Sequence, residues 1–469
     1  MSSMSEKHHS SDEEKRPVGG TGVIDTQVGD VEDHEVFKKT ADGVDFRTVS
    51  WPRATVIFLK IIFATGVLSI PSAMYELGAL GGALSVIGWG LLNTYTAVIQ
   101  GDFRNRHLGT HSIADMAGVL GGPVLKEIVG VLFLAAYVLC TGSGILGVSI
   151  GINALSTHAA CSVWWGLIAT VFVAATASVR KFHTIGWLTW VGFASIFIAV
   201  FIVVIAVTTL DRPAAAPQTG DYDFGYHVIA YPTFVAGITA TATIFVSSAG
   251  TSAFLPVISE MRQPKDYRKA LFTCMGFVTA AYLSLALVVY KWCGKWVASP
   301  SLGSAGPTIK KIAYGIGLIG LLVSATLYLH VASKYLFVRI LRKTRHLQQN
   351  TVVHWGVWLG CTFGLAALAF ILAEAIPIFN YLIALTGSLC FAPIAIMLPG
   401  ALWIHDHGHY KSGTMVQKAK YWAHWFLPVL GLFICVGGTY GVVQSIISAY
   451  ASGQIVRPYL KKLWSVIKA

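Results

Sequence analysis

The chain has 469 residues, is 55% hydrophobic with a mean hydropathy of +0.64, and only 12% of it is charged. A water-soluble fold of this size could not cover so much apolar surface with so few polar groups, which leaves an integral membrane protein. The net charge of +12 does not indicate a nucleic-acid partner, because the basic residues sit in short clusters between apolar runs rather than on a continuous phosphate-tracking face.

Residues 1–50 hold 11 of the 22 acidic residues and are rich in Ser, Lys and Gly, so they read as a disordered cytosolic tail. No apolar h-region marks a cleaved signal peptide there. Residues 51–450 form the transmembrane domain. Apolar segments of bilayer-spanning length fall at 52–77, 80–101, 126–155, 162–179, 184–209, 227–259, 270–292, 312–340, 352–373, 377–404 and 421–449, about eleven in all. Long Leu/Ile/Val/Ala/Gly runs suit α-helices and not the alternating strands of a barrel. The fold class is therefore all-α and integral to the membrane.

With the N-terminus placed in the cytosol, the inner loops carry fifteen Lys and Arg, among them Arg104, Arg262, Arg268 and Arg342, against five in the outer loops. The short basic tail 451–469, with Arg457, Lys461, Lys462 and Lys468, falls on the outer side of eleven spans. Either it lies on the membrane surface or the count is one off. Seven cysteines, mostly inside apolar runs, suit buried free thiols. Cys161 and Cys293, near outer helix ends, are the one candidate disulfide pair.

Two spans are interrupted in the same way. The first reads Ala64-Thr65-Gly66-Val67-Leu68-Ser69-Ile70-Pro71, and the sixth reads Phe245-Val246-Ser247-Ser248-Ala249-Gly250-Thr251 and ends at Pro256. In each, small polar residues surround a glycine and a proline follows five or six positions later, which ends a helix and starts another. Breaks at spans one and six divide ten spans into a 5+5 inverted repeat and leave an eleventh as an addition. Small residues and proline also serve close helix packing; it is the matched positions that favour a binding site. The second half-helix offers free N–H groups and a positive dipole end to a carboxylate, and the first ends in carbonyls suited to an ammonium. An α-amino acid carries both groups.

At these residues the chain resembles the amino acid/auxin permease (AAAP) family of the amino acid–polyamine–organocation superfamily, over roughly residues 48–450. The resemblance is carried by Thr65-Gly66-Val67-Leu68-Ser69-Ile70-Pro71 with Glu76-Leu77-Gly78, and by Phe254-Leu255-Pro256 with Glu260-Met261-Arg262-Gln263-Pro264. Within the family it looks like fungal neutral amino acid permeases of the methyltryptophan-resistance type. The resemblance implies an eleven-span inverted repeat, a cytosolic N-terminus and proton-coupled amino acid transport. One departure is Ala64, where the family often has a second glycine.

Thr65, Gly66, Val67, Leu68 and Ser69 are then expected to contact substrate through the backbone, with Ser247, Ser248, Ala249, Gly250 and Thr251 completing the site. Phe245 is the candidate lid, against the bland reading of a lipid-facing or core ring. Tyr137 is a candidate carboxylate ligand. Ionisable groups inside spans are functional candidates by default. His330 is one for the coupled proton, although a packing histidine is the plainer reading. Glu260 is a second coupling candidate, more readily explained as a gate salt bridge, as is Glu76. Ser324 and Thr326 are candidates for a sodium-like site. No lysine lies midway in the fifth span (184–209) to substitute for that ion. His405, Asp406, His407 and His409 fall in a solvated loop and are weak metal ligands, so no metal is assigned.

The best-supported function is a secondary active importer of neutral L-amino acids, driven by protons or, failing that, sodium, and seated in the plasma membrane. An amino acid sensor or a vacuolar exporter on the same fold is the alternative. No filter motif, intramembrane nucleophile–base pair or P-loop is present, so a channel, an enzyme, a cofactor and ATP drive are not expected.

Overall fold

In an apolar slab each peptide group must find its partner within protein, and an α-helix does so within its own segment. The computed structural model describes residues 49–454 apart from 180, 181, 343, 348 and 350, with the backbone alone for 182–187. The chain divides into two units, Met1–Val44 and Asp45–Ala469, and the architecture below is that of the second. The expected N-terminal tail up to residue 48 and the basic segment from 455 lie outside the described residues. Among the described residues the only β-structure is an isolated bridge between Val49 and Met261.

Helix α1 (Trp51–Ile62) opens with a proline in its first turn, where a missing N–H costs nothing. It stops at Phe63, and a 3-10 turn (Gly66–Leu68) leads into α2 (Ile70–Arg106), which has Pro71 in its first turn. Inside α2 the chain bends at Gly78, whose φ is +75°. There the N–H groups of Ala79 and Leu80 donate to His227 and Val228 of a loop strapped across the bend. A Cβ at Gly78 would lie 2.7 Å from the Ala230 nitrogen, so both the φ and the close approach demand glycine.

α3 (Ile113–Leu155) starts with a reciprocal Ser112–Asp115 capping box and bends at Gly121 and Gly122, just before Pro123. α4 (Ser162–Ala177) and α5 (Phe182–Thr208) complete the first half. α6 (Phe234–Val246) is broken from α7 (Phe254–Glu260) by a 3-10 turn (Gly250–Ala253). α8 (Tyr267–Cys293), α9 (Pro307–Leu341) and α10 (Val352–Ala375) follow. α11 (Phe379–Leu385) then continues through a π-helical stretch (Thr386–Met397) around Pro393 into α12 (Leu398–Asp406). The described chain ends with α13 (Met415–His424), α14 (Phe426–Phe433), a second π segment (Ile434–Gly438) and α15 (Thr439–Ala451).

Nine helices among the described residues are long and apolar enough to cross a membrane, and α4 is a shorter apolar helix. The expected eleven exceeds this because the first break leaves α1 only 12 residues and α4 has only 16.

The packing repeats itself. α1 packs on α8 as α6 packs on α2; α9 packs on α5 as the α11–α12 helix packs on α3; α10 packs on α3 as α4 packs on α9. Exchanging α1 for α6, α2 for α8, α3 for α9, α4 for α10 and α5 for the α11–α12 helix reproduces the pairs, which is the signature of a pseudo-two-fold axis. Outward-facing Leu84, Leu91, Val131, Ile168 and Val436 are each more than half exposed, an apolar belt that only lipid can cover.

Gly78→Ala is expected to lower the melting temperature of the detergent-purified protein by several degrees. The left-handed backbone alone costs an L-residue about 1–2 kcal/mol. An unchanged melting curve would show that the strap does not clamp the bend.

Candidate functional site

The two breaks meet at the centre of the bundle. The Ser247 hydroxyl donates to Gly66 O at 3.2 Å, and a Cβ on Gly66 would lie 2.8 Å from Ser247 Cα. Gly66 is thus required by closeness as well as by unwinding. Phenols satisfy the carbonyls freed at the end of α1: Tyr328 of α9 donates to Ile61 O at 3.1 Å, and Tyr282 of α8 to Ile62 O at 2.8 Å. Tyr282 also reaches Ser247 O at 3.2 Å, so one hydroxyl bridges both breaks. Asn93 of α2 serves the sixth break, donating to Ser248 Oγ at 2.7 Å and to Phe245 O at 3.3 Å.

Between the breaks lies a cavity of about 40 Å³ lined by Ile61, Ile62, Thr65, Gly66, Tyr137, Cys140, Ser143, Val246, Ser247, Gly250, Tyr328, Ile383, Thr386 and Phe391. No charged side chain belongs to this lining. At about 10–15 Å³ per water the space holds a few waters, so an amino acid enters only if the walls move apart. The buried hydroxyls of Tyr137, Thr251 and Ser252 make no hydrogen bond of good geometry, and Tyr137 faces Ser252 and the Ala253 backbone. These groups converge on the start of the second half-helix in the sixth span, where backbone N–H groups lack intrahelical partners.

The two sides of the cavity differ. Toward the N-terminal side, Phe58 stacks on Phe254 at 4.0 Å, and Tyr267 meets Phe58 edge-on while donating to Ala97 O. Beyond these rings Arg104 donates to Ser259 Oγ at 3.1 Å. Val49 pairs its N–H with Glu260 O and its carbonyl with Arg262 N–H. On the opposite side lies a second, separate cavity, a vestibule of about 290 Å³ bordered by Ser72, Tyr75, Glu76, Thr239, Lys295, Asn380 and Tyr381.

Of the expected contacts, Thr65, Gly66, Tyr137, Ser247 and Gly250 line the cavity. Val67, Leu68, Ser69, Ser248, Ala249 and Thr251 are placed around it in the two breaks, and Ser69 Oγ ties back to Gly66 O at 2.8 Å. Phe245 lies outside the lining, its ring 5.0 Å from Trp89 of α2, and Val246 faces the cavity instead. Thr326 is bonded to Thr176 of α4 at 2.8 Å, and His330 Nδ1 to Ala177 O at 3.1 Å with Trp358 against its ring. Neither borders the cavity. Glu260 closes α7 at the Val49 pairing, and Glu76 borders the vestibule. Ser324 Oγ accepts from the buried Nζ of Lys60 at 2.8 Å. In the histidine loop Asp406 is held by Arg106 and His107, and His407 stacks on Trp403. The seven cysteines are free thiols, with Cys161 exposed and Cys293 buried.

Sequence reasoning misses Lys60, Asn93, Tyr282 and Tyr328. For Lys60 a signal exists, a lone lysine inside the apolar run Phe58–Phe63. The other three are ordinary members of long helices, and only the fold brings them to the breaks.

The family model for "Transmembrane amino acid transporter protein" matches residues 47–444. The chain belongs to that family. It is a transporter and not an enzyme, its substrate is an amino acid, and its solvent is a lipid bilayer. It is 49% identical over 461 residues to a transmembrane transporter of Gibberella moniliformis, covering 98% of this chain and 97% of that one. An N amino acid transport system protein of Neurospora crassa is 28% identical over 458 residues, covering 95% and 93%. The fold of the transporter is similar to that of MhsT in its complex with L-phenylalanine, at a TM-score of 0.54 and 12% identity over 87% of this chain and 100% of that one.

Gly66→Leu is expected to abolish amino acid uptake while leaving membrane insertion and yield intact, because the added side chain must displace Ser247. Ser247→Ala, which loses one hydroxyl but fits, should retain a measurable fraction. Normal uptake by the leucine variant would remove the breaks from the binding site.

Proposed function

We propose that this protein is a proton-coupled symporter importing neutral L-amino acids by alternating access. The observation that carries the reading is the cavity itself: two helix breaks and the Tyr137 hydroxyl, which makes no hydrogen bond of good geometry, with no charged side chain in the lining. The zwitterionic head would be held by the free N–H groups and hydroxyls at the start of the second half-helices and by carbonyls at the ends of the first. A substrate side chain would meet Ile383, Phe391, Tyr137 and Cys140, a surface without a counter-charge and therefore suited to aliphatic or aromatic groups.

In this reading the chain makes eleven crossings, α1 with the start of α2 forming the first and α4 the fourth. The N-terminus is cytosolic, residues 1–50 form a tail outside the 51–450 transport domain, and the membrane is the plasma membrane. The sealed side, with Phe58, Phe254, Tyr267 and the Val49 pairing, is then the cytosolic gate, and the vestibule faces outward.

Uptake of labelled leucine, phenylalanine, lysine and glutamate by proteoliposomes, first under an imposed pH gradient and then under a sodium gradient, tests the reading. Leucine and phenylalanine should accumulate under the pH gradient alone, and lysine and glutamate should not. Accumulation under neither gradient would sink the symporter. Removing residues 1–45 should leave this uptake in place, whereas a sensor that acts through its tail would lose its output.

A further inference from the structure

Lys60 sits midway along the apolar run Phe58–Phe63 of α1, and its side chain is 1% exposed. Its Nζ donates to Ser324 Oγ at 2.8 Å and to Gly320 O at 3.3 Å, both on α9. α5 closes the other side: a Cβ at Gly192 would lie 3.0 Å from Lys60 Cε, and one at Gly320 would lie 2.7 Å from Gly192 O. Ser195 of α5 accepts from Gly320 N–H and donates to Ile316 O, which fixes α5 against the same turn of α9. Two glycines and two serines therefore shape an oxygen-lined niche around one nitrogen.

A lysine at this depth is costly to keep unless it has a task. No acidic residue occurs in α1, α5 or α9, so hydroxyl and carbonyl dipoles hold the ammonium. The titratable groups facing α1 from its neighbours are Tyr328 of α9 and Tyr282 and Tyr267 of α8. Of the charged ones, Arg53 of α1 and Lys334 of α9 face the Glu260 carboxylate at the end of α7. The two residues after Lys60 line the cavity, and Tyr328 and Tyr282 grip their carbonyls. A shift of Lys60 against α9 therefore shifts the cavity wall.

We propose that Lys60 is the coupling group: its amine binds one proton while the vestibule is open and releases it to water on the N-terminal side after substrate has crossed. The N–H bond formed and later broken at Nζ is the only covalent change. The ammonium docks α1 on α9 and α5, and the neutral amine releases it. Ser324 serves this ammonium in place of a sodium ion. The assignment rests on the symport reading above.

The test uses the full chain in proteoliposomes with sodium replaced by choline. The wild-type protein should accumulate leucine under an inward proton gradient. Lys60→Met and Lys60→Arg should bring the accumulation ratio to unity, arginine because its guanidinium does not release a proton. Counterflow of labelled against unlabelled leucine at equal pH on both faces separates transport from coupling. In Lys60→Arg it should persist at a rate that no longer varies with pH, as the wild-type rate does. Ser324→Ala is the gentler change should the lysine variants fail to fold. It removes an acceptor from the ammonium and so should move the wild-type pH profile toward lower pH.

Gradient-driven accumulation by either lysine variant at the wild-type level, or an unmoved profile in Ser324→Ala, overturns the proposal. So does a wild-type protein driven by sodium. A wild-type protein that exchanges no amino acid at all fails the underlying functional reading, and counterflow shows that separately.

Discussion

A peptide group left unpaired in hydrocarbon costs several kcal/mol. A helix that stops in mid-membrane leaves carbonyls on one side of the gap and N–H groups on the other, so the rest of the bundle must supply what the helix no longer does. The supply here is specific and uneven. Tyr328, Tyr282, Asn93 and Ser247 take up carbonyls and hydroxyls of the two breaks, and Tyr282 serves both at once. The start of α7 keeps unused hydroxyls around it, at Tyr137, Thr251 and Ser252. A structure that satisfies the carbonyls of both breaks but leaves hydroxyls at the start of α7 without well-formed hydrogen bonds has left room for a polar ligand in that network.

The same constraint explains why the two sides of the site are built differently. The N-terminal side is closed by aromatic rings packed in layers and by a short backbone pairing at Val49, contacts that can part without leaving many buried donors behind. Gly101 allows this closure, since a Cβ there would collide with the Cδ1–Cε1 edge of the Tyr267 ring. The opposite side keeps a polar vestibule in which Asn380 bonds to Ser72 across the α11–α2 gap at 2.7 Å. Because the packing pairs repeat under exchange of the two halves, a rocking of one half against the other would close this vestibule with the same kind of helix contacts that now seal the far side.

Much of this was legible in the sequence because it concerned solvation and backbone. Apolar run lengths marked the spans, and glycine followed by proline marked both breaks to within a few residues. Less legible was anything that depends on which side chain arrives from another helix. Phe245 looks like a lid when read along its own span, yet Trp89 of α2 takes its ring away from the cavity. The pair Ser324 and Thr326 looks alike in sequence but diverges in space, because two positions along a helix turn the side chains about 200° apart: one meets Lys60, the other Thr176. The boundary between the first two crossings, read between the apolar runs 52–77 and 80–101, falls at the bend at Gly78.

Lys60 shows the limit most clearly. The absence of a lysine in the fifth span is a correct statement about residues 184–209, and it directs attention away from the lysine that faces that span from α1. What fixes an ammonium in space is the niche and not the segment that donates the side chain. Gly192 and Gly320 are invisible as a pair in the sequence, 128 positions apart, yet their missing side chains decide that α5 and α9 come close enough to enclose one charge. An ammonium carried on α1 has a consequence that a free ion bound at the same oxygens lacks. It is tethered to the broken helix, so its affinity for the niche acts directly on the position of the break, and a change in its protonation reaches the cavity wall through a single residue step.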